Sequence, residues 1–404
     1  MREGWERVAL DRLLRQISRP VNVADITEVP FAGVRWYAEG VYARDVVLAR
    51  EVKTKTLNLL EAGDVTYNRM WATKASFGRV GTHVAGCLVT NDFPVFAVDT
   101  TRVLGEYVDL IFKTAAFQRE ASSRATGTTE RKRLKEPEFL AIMVNLPPLA
   151  EQRRIVDLIG AVDEAIEAAS AADEAADELL REVRDREFSR YPAKSIEVLI
   201  DSISGGRSPS AVDSPPNADQ FGVLKISAVG RLGFQPKESK TVTAPGIFAD
   251  SMRVGKGDIL ITRANTAERV GMVCRVDGNY PNLFLSDKTL RLTPSAEVDP
   301  DCLVAALQTG EARRQLSAAG SGTSASMKNI SQGNIRNLKV GWPNELSEQR
   351  NLVSLIARLA EARDDATNLA DALRVLRTDL LTTLLSGAHE IPASYDRFLE
   401  ASAA

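Results

Sequence analysis

The sequence predicts a mixed α/β (α+β) protein in which two globular domains are separated by an antiparallel pair of long coiled-coil helices. Two observations lead to this prediction. Short motifs recur in the same order after about 195 residues of the 404-residue chain, a period far too long for a solenoid unit. Each copy also ends in a segment of about 38 residues whose apolar side chains are spaced by three and four positions, as in a helix. The chain is therefore expected to be a pseudo-twofold internal repeat of one domain and one helix.

The repeat is marked by motifs that occur twice. Glu151-Gln152-Arg153 opens one helical segment, and Glu348-Gln349-Arg350 opens the other. The matched pairs upstream are Gly63-Asp64 with Gly257-Asp258, Arg69 with Arg263, Arg79-Val80-Gly81 with Arg269-Val270-Gly271, Asn91-Asp92 with Ser286-Asp287, and Gly127-Thr128 with Gly322-Thr323. Residues shared by both copies are expected to be scaffold, because two domains that recognise different ligands must differ at their recognition surfaces.

The first globular domain is predicted to span residues 1–148. Gly63-Asp64 is expected to form a turn that leads into a strand, and Glu106–Arg119 carries apolar residues near helical spacing. Phe139–Leu146 is an apolar run that predicts a buried strand, ended by Pro147-Pro148.

The first spacer helix is predicted over residues 149–190, and its alanine-rich stripe would let a second helix approach closely. The second globular domain is predicted to span residues 191–345 and to repeat the mixed pattern. Val270–Val276 and Thr289–Leu292 are strand candidates, and Asp299–Leu307 has the features of a helix start.

The C-terminal spacer helix is predicted over residues 346–390, with Gly387 as its cap and 391–404 as a tail. A single striped helix of this length needs a partner, and the chain contains two. The simplest arrangement packs the two helices on each other. Because the second domain must return the chain, an antiparallel pair is expected, with the two domains at its opposite ends.

Composition excludes several classes of protein. Hydrophobic residues make up 44% and charged residues 26%, as in ordinary globular proteins. The sequence shows neither a signal-peptide apolar stretch nor an apolar run near the ~20 residues of a membrane span, so a cytoplasmic location without a membrane partner is expected. Cys87, Cys274 and Cys302 form no Cys-x-x-Cys pair, and His83 near Cys87 lacks further ligands, so no metal site is predicted.

The charge distribution permits binding to nucleic acid without demonstrating it. The net charge is −3, but basic residues exceed acidic ones in both globular segments, whereas acidic residues exceed basic ones in both helical segments. Phosphate backbones require local rather than overall positive charge. The alternative is that exposed helix faces are simply acidic.

Together these elements resemble the specificity subunit of type I restriction–modification systems. The resemblance covers nearly the whole chain and is carried by Leu146-Pro147-Pro148-Leu149-Ala150-Glu151-Gln152-Arg153, by the doubled Gly-Asp-strand-Arg pattern and by the doubled Gly-Thr loop. A weaker copy of the first motif is Trp342-Pro343-Asn344-Glu345-Leu346-Ser347-Glu348-Gln349-Arg350, in which Asn344-Glu345 replaces the second proline and adds a residue.

The resemblance implies a non-catalytic, DNA-binding subunit of a phage-defence complex. Residues 1–148 and 191–345 would be target recognition domains, each recognising one half of a bipartite site in double-stranded DNA. The helices would set the gap between half-sites and dock methyltransferase subunits, expected to number two. No cofactor is expected in this chain. S-adenosylmethionine for DNA methylation would come with the methyltransferase subunits, and ATP and Mg²⁺ would serve a restriction/translocase subunit.

Three alternatives stay open. One is the specificity module of a related modification-only defence system, and another is a coiled-coil adaptor that binds no DNA. The third is an enzyme in its own right, which would need a cofactor loop or a carboxylate cluster. The sequence contains neither Gly-x-Gly-x-x-Gly nor a phosphate-loop lysine motif, so no catalytic residue is predicted.

The candidate DNA contacts are mostly basic residues in loops. Arg131, Lys132, Arg133 and Lys135 form the densest basic cluster, and Lys328-Asn329 occupies the corresponding place in the second copy. These residues could instead lie in solvated turns. Weaker candidates are Lys74, Arg79, Arg207 and Arg269.

Two further groups have an ambiguous role. Arg69 and Arg263 could recognise guanine in the major groove or pair with a carboxylate inside the domain. Their recurrence in both copies favours the structural role. Glu151, Gln152 and Arg153, with their counterparts Glu348, Gln349 and Arg350, are expected to organise the helix starts and to contact the methyltransferase subunits.

Overall fold

The computed structural model describes residues 4–127, 132–230, 233–243, 248–321 and 327–398. The chain divides into two compact units, of which the first combines two segments that are distant in sequence and the second is one continuous segment. Unit 1 consists of Met1–Ala168 with Leu369–Ala404, and unit 2 consists of Ala169–Asn368. Each unit contains a globular region and parts of both long helices.

Unit 1 contains two main β-sheets and three short helices. Its described strands are β1 (Glu6–Ala9), β2 (Leu14–Ile17), β3 (Pro20–Asn22), β4 (Glu28–Val34), β5 (Val41–Leu48), β6 (Thr56–Leu59), β7 (Val65–Tyr67), β8 (Phe77–Arg79), β9 (Leu88–Val89), β10 (Val95–Val98) and β11 (Met143–Leu146). The sheet orders are β2-β10-β7-β8, β3-β6-β9-β4-β5 and the pair β1-β11. The helices are α1 (Gly105–Lys113), α2 (Ala115–Arg124) and α3 (Glu136–Leu140).

Unit 2 repeats this plan with more strands. They are β12 (Ala193–Ser195), β13 (Ile200–Gly205), β14 (Ala211–Val212), β15 (Gly222–Leu224), β16 (Val229–Gly230), β17 (Gly233–Phe234), β18 (Ser239–Val242), β19 (Arg253–Val254), β20 (Ile259–Thr262), β21 (Ala264–Asn265), β22 (Val273–Arg275), β23 (Tyr280–Phe284), β24 (Thr289–Pro294), β25 (Lys328–Asn329) and β26 (Lys339–Gly341). The main sheets are β13-β24-β20-β22 and β14-β18-β15-β23-β19, and the pairs are β12-β26, β16-β17 and β21-β25. The short helices are α5 (Pro300–Leu307), α6 (Gly310–Ala319) and α7 (Gln332–Arg336), which lie in sequence between the long helices α4 (Leu149–Ser189) and α8 (Leu346–Leu385).

The long helices are α4 (Leu149–Ser189) and α8 (Leu346–Leu385), and within each unit they pack against each other. In unit 2, Asp173 accepts a hydrogen bond from Thr367 at 2.6 Å, and Asp177 lies 4.0 Å from Arg363. Residue numbers therefore rise along α4 while they fall along α8. In unit 1, Asp163 pairs with Arg377. The antiparallel packing predicted from the sequence is confirmed inside each unit.

The C-terminal helix ends as the sequence indicates, whereas one predicted strand differs. The helix ends at Leu385, and Gly387, the predicted cap, adopts φ 75° and donates its N–H to the carbonyl of Leu384. The apolar run Phe139–Leu146 is not one strand. Phe139 belongs to α3 and packs into the aromatic core, and only Met143–Leu146 is a strand. A short apolar run does not distinguish the two structures by periodicity alone.

Glu106–Arg119 also departs from a single helix, because the chain breaks at Thr114. Thr114 ends α1 and caps α2, where its hydroxyl accepts a hydrogen bond from the N–H of Phe117 at 3.3 Å. Thr309 caps α6 in the same way, since its hydroxyl accepts from Ala312 at 3.3 Å. The break is therefore part of the repeated scaffold.

One pair of matched motifs does not correspond in the structure. Arg79 lies opposite Val65 in the β7–β8 hairpin, and the equivalent place in the β20–β22 hairpin belongs to Arg275. Arg79 pairs with Glu106 near the start of α1, and Arg275 pairs with Asp301 near the start of α5. Arg269-Val270-Gly271 instead lies before β22. The sequence match was wrong because the second hairpin is longer.

Both long helices begin at a buried glutamine that is bonded in the same way. The side-chain oxygen of Gln152 accepts from the N–H of Leu104 at 2.8 Å, and its nitrogen donates to the carbonyls of Arg102 and Pro147 at 3.0 and 2.8 Å. Neither Gln152 nor its counterpart Gln349 in the second helix has any exposed surface. The Gln349 oxygen accepts from Asp299 at 2.7 Å, and its nitrogen donates to the carbonyls of Glu297 and Pro343, both at 3.2 Å. Leu104 and Asp299 are the residues that precede α1 and α5.

We expect Gln152→Ala to lower protection of the Leu104 amide against hydrogen exchange by about 1–3 kcal/mol, because a buried N–H loses its acceptor. Protection of the Asp299 amide should stay at the wild-type level. Gln349→Ala should show the reverse pattern, and Arg153→Ala, at an exposed position, should change neither amide. Equal loss at both amides in a single variant would contradict independent attachment of the two helices.

Candidate nucleic-acid interface

In each unit, two residues close the loop that carries the Gly-Thr motif. Thr126 and Arg133 exchange backbone hydrogen bonds of 3.0 and 2.8 Å. Ser321 and Asn329 exchange two bonds of 2.9 Å at the equivalent place in unit 2. Residues 128–131 and 322–326, and with them the predicted contact Arg131, lie outside the described residues.

The described part of the basic cluster in unit 1 is exposed. Lys132, Arg133 and Lys135 all lie at the surface, while Leu134 between them is fully buried and anchors the segment. Arg133 lies 3.6 Å from Asp92. The side chains of Lys132 and Lys135 have no hydrogen-bond or ion-pair partner among the described residues. This surface has the charge and accessibility that contact with phosphates requires.

Arg69 lies beside this segment, but its side chain is bound within unit 1. The guanidinium forms an ion pair with Glu136 and donates to the carbonyl of Asn91. Burial by itself would raise the pKa of Glu136, but the hydrogen bonds and charge of Arg69 hold it below its ordinary value. The backbone carbonyl of Arg69 accepts from Leu134 at 3.1 Å. Arg69 therefore connects the basic segment to the sheet.

Arg263 repeats the backbone contacts of Arg69 but not its ion pair. Its N–H donates to the carbonyl of Lys288 at 2.9 Å, and its carbonyl accepts from Ile330 at 2.8 Å. The first residue of α7 is Gln332, where α3 begins with Glu136. The half-buried Arg263 side chain has no hydrogen-bond or ion-pair partner in the described parts of the chain. The same residue type thus has a structural partner in one unit and is available for a ligand in the other.

The remaining predicted contacts of unit 2 lie near Arg263. Lys328 and Asn329 form β25, in which Asn329 pairs with Ala264 next to Arg263. Arg207 is exposed, and its N–H donates to Leu285 at 3.2 Å, in the segment that leads to Lys288. The neighbouring Gly206 is required there, because a Cβ would lie 1.7 Å from the carbonyl oxygen of Leu285.

Sequence reasoning missed an exposed aromatic group in unit 1. Trp36, Tyr37 and Trp71 are 45%, 64% and 38% exposed, and the rings of the two tryptophans lie 5.3 Å apart. Lys74, a predicted contact, is exposed in the same turn as Trp71. Tryptophan is usually buried, so only the structure could reveal these side chains as surface.

The two units also share a second surface. A cleft of about 670 Å³ in unit 1 lies between the start of α2, strand β11 and the end of α8. A cleft of about 790 Å³ in unit 2 lies between the start of α6, strand β26 and the end of α4. Matching residues of the two clefts are Thr114 with Thr309, Arg119 with Arg314, and Ser386 with Ser189. The clefts are equivalent under the internal repeat.

The Glu-Gln-Arg motifs combine buried and exposed residues. Glu151 is buried and accepts a hydrogen bond from the Trp5 indole at 2.9 Å, whereas its counterpart Glu348 is exposed. Arg153 and Arg350 are both exposed, and their side chains have no ion-pair or hydrogen-bond partner among the described residues. The motifs therefore attach the helices through glutamine and present an arginine at the surface.

The described residues show no feature of metal or thiol chemistry. They contain no group of three or more His, Cys, Asp or Glu side chains that could hold a metal ion. All three cysteines are buried, and burial raises the pKa of Cys274 and of Cys302 to about 12. No helix in the described ranges is long and apolar enough to cross a membrane.

Comparison with known proteins connects this geometry to one class of protein. No family model matches the chain. The Type I restriction enzyme EcoEI specificity subunit of Escherichia coli is 33% identical over 188 residues, which cover 43% of this chain and 32% of that protein. The chain thus matches about a third of the length of this curated relative.

Solved structures share the fold. One similar chain belongs to a structure that describes complex assembly and conformational transition of the type I R-M system. Its TM-score is 0.64 at 16% identity, and the match covers 95% of this chain and 98% of that one. The HsdS subunit from Thermoanaerobacter tengcongensis has a TM-score of 0.50 at 17% identity, covering 96% and 98%. The type I S subunit from M. genitalium has a TM-score of 0.53 at 13% identity, covering 94% and 96%. The resemblance to type I specificity subunits and the predicted fold class are confirmed.

We expect Arg69→Ala to destabilise its unit much more than Arg263→Ala does. Arg69→Ala should destabilise unit 1 by about 2 kcal/mol, because Glu136 loses its ion pair, whereas Arg263→Ala should change unit 2 by less than about 0.5 kcal/mol. Hydrogen exchange in β7 and β20 would measure each unit separately. The Arg69 effect should shrink as pH falls through the lowered pKa of Glu136, where the carboxylate becomes neutral in the folded protein. Equal destabilisation by both variants would contradict the difference between the units.

Proposed function

We propose that this chain is the specificity subunit of a type I restriction–modification complex, in which it selects the DNA sequence and performs no chemistry itself. The observation that carries the proposal is the duplicated scaffold with dissimilar surfaces. Both units attach their long helices by equivalent glutamine bonds, yet Arg69 has an ion-pair partner and the Arg263 side chain has none among the described residues. The curated relative and the three similar structures support this assignment.

Each globular region would recognise one half of a bipartite site in double-stranded DNA. We assign the target recognition domains to residues 1–148 and 191–345. The exposed basic residues at each loop would contact phosphates and base edges, where each correct base pair contributes about 1–3 kcal/mol to discrimination. Dissimilar surfaces on one scaffold suit an asymmetric site, because the two half-sites then differ in sequence.

The long helices, 149–190 and 346–390 in the proposed assignment, would set the gap between the half-sites. Half-site spacing is a geometric property of the protein that connects two recognition surfaces. Polar contacts inside each helix pair, such as Asp173 with Thr367, oppose sliding of one helix along the other. A constant helix register would keep the gap constant.

Surfaces that both units share would dock two identical methyltransferase subunits. The equivalent clefts and the exposed Arg153 and Arg350 are the shared surfaces among the described residues. The methyltransferase subunits would supply S-adenosylmethionine and methylate adenine after the base leaves the stack. A restriction subunit would add ATP- and Mg²⁺-dependent translocation and cleavage.

Selection from a random duplex library tests the proposal. The full chain, co-expressed with its methyltransferase subunits, should enrich a bipartite sequence with a constant gap. Replacing residues 1–148 with the equivalent domain of another specificity subunit should change one half-site and leave the other and the gap intact. Enrichment of no sequence would refute the DNA-binding role, and a change in both half-sites would refute the assignment of one domain to each half.

We expect Lys132→Ala and Lys135→Ala to weaken binding to the selected duplex and to reduce its salt dependence. Each lost phosphate contact should lower the slope of log K against log salt by about 0.9. Lys53→Ala is the matched control, because Lys53 is an exposed lysine of unit 1 outside the basic segment. Filter binding between 50 and 200 mM salt gives the slopes, and slopes equal to that of the Lys53 variant would exclude both lysines as phosphate contacts.

A further inference from the structure

Unit 1 presents a fixed group of exposed aromatic side chains at its surface. Trp36 and Trp71 form a ring pair with an interplanar angle of 45°, and Tyr37 beside them is 64% exposed. The other two tryptophans, Trp5 and Trp342, are 6% and 2% exposed. We call Trp36, Tyr37 and Trp71 the aromatic knob. An exposed group of large aromatic side chains at this density marks a contact surface rather than ordinary protein exterior.

The backbone holds the knob in one conformation. The N–H of Ala38 donates to the carbonyl of Ala75 at 2.7 Å, and the Ser76 hydroxyl donates to the carbonyl of Val34 at 2.8 Å. These bonds join the turn that carries Trp36 to the turn that carries Trp71. Tyr37, Ala38 and Ala75 all have φ between 53° and 57°, a backbone region that residues other than glycine rarely occupy. A knob held in this way loses little conformational freedom when it binds a ligand.

A backbone hydrogen bond connects the chain next to the knob with the basic segment of unit 1, residues 132–135. The carbonyl of Arg69, two residues before Trp71, accepts a hydrogen bond from Leu134 between Arg133 and Lys135. Lys74 follows Trp71 in the same turn and is exposed. Aromatic faces bordered by cations match a nucleic acid, in which π-faced bases are bordered by phosphates. The charge of this border favours a negatively charged ligand over an apolar protein surface, and the aromatic faces favour one that presents bases.

In the described part of unit 2, the place equivalent to the knob carries no aromatic side chain. Strand β4 pairs in parallel with β9, as β15 does with β23, and each is followed by a three-residue turn: 36–38 in unit 1 and 226–228 in unit 2. In unit 2 this turn borders an open cleft of about 1070 Å³. The residues that line it there are Lys225, Ile226, Ser227, Asn265, Glu268 and Arg269, none of them aromatic.

We propose that the aromatic knob contacts bases of the half-site bound by unit 1, stacking on an unpaired base or entering between two base pairs. The inference rests on the proposed function. A surface that docks two identical partner subunits should occur in both units, as the equivalent clefts do, and the knob occurs in one. Apolar side chains that enter a base step favour flexible pyrimidine–purine steps. The knob thus contributes to recognition of one half-site only.

The test compares the triple variant W36A/Y37A/W71A with the double variant W36F/W71F in the full chain assembled with its methyltransferase subunits. On the duplex selected by the wild-type complex, the triple variant should bind at least about fivefold more weakly, and the double variant should retain most of the affinity, because stacking needs a ring. Repeated selection should show relaxed preference in one half-site and unchanged preference in the other. The unchanged half-site also shows that unit 2 and the complex are folded.

Tryptophan fluorescence provides a second, independent measurement. Trp36 and Trp71 are the exposed tryptophans among the four, so acrylamide should quench mainly their emission. Bound duplex should protect this emission in the wild-type complex, and the W36F/W71F variant should show no such protection. A duplex with 2-aminopurine at successive positions of the half-site should locate the contacted base step.

Each outcome has one consequence. If the wild-type complex selects no bipartite site, the proposed function and the knob proposal both fail. If it selects one, and the triple variant keeps the wild-type affinity and preference, the knob proposal fails while the proposed function stands. If the triple variant instead loses the methyltransferase subunits in sedimentation analysis while the wild type retains them, the knob is a protein contact and the proposal is overturned.

Discussion

The buried glutamine at the start of each long helix is the contact on which the rest of the structure depends. Gln152 and Gln349 each use their side-chain oxygen and nitrogen on the backbone of a neighbouring loop and of the segment before the helix. The amide has no contact with water, so every bond it lost would leave a buried polar group unsatisfied. Each globular region is thereby attached to the start of its long helix at a defined residue.

The repeat separates what the two units share from what distinguishes them. Shared features are the fully buried glutamines, the threonine caps Thr114 and Thr309, and the backbone bonds beside each Gly-Thr motif. The distinguishing features are half-buried or exposed. A carboxylate at Glu136 becomes an amide at Gln332, and the aromatic knob of unit 1 is replaced by an open cleft in unit 2. Burial restricts substitution because packing and hydrogen bonds are both lost, whereas surface residues are free to diverge with the ligand.

The helix pair of unit 2 buries charge as well as apolar surface. Asp177, Arg184, Glu187 and Arg363 are each 8% exposed, and burial lowers the pKa of Arg184. The Nε atom of Arg184 has no hydrogen-bond partner among the described residues. Charges buried in this way contribute little net stability, but they penalise any register in which they lose their partners. Such a penalty holds the two helices of this pair in one register.

The sequence by itself determined the class of fold, the doubled plan and the resemblance, because motif spacing and apolar periodicity survive without knowledge of contacts. It also identified the glutamines and the basic segment. Only the tertiary structure showed that Arg69 and Arg263 differ in role. The ion-pair partner of Arg69 is Glu136, which lies 67 positions away in the sequence. The tertiary structure also showed that the counterpart of Arg79 is Arg275 and not Arg269. Strand register, which defines this correspondence, is set by hydrogen bonds across the sheet. The knob likewise required the fold, which brings Trp36 and Trp71 together and leaves them exposed.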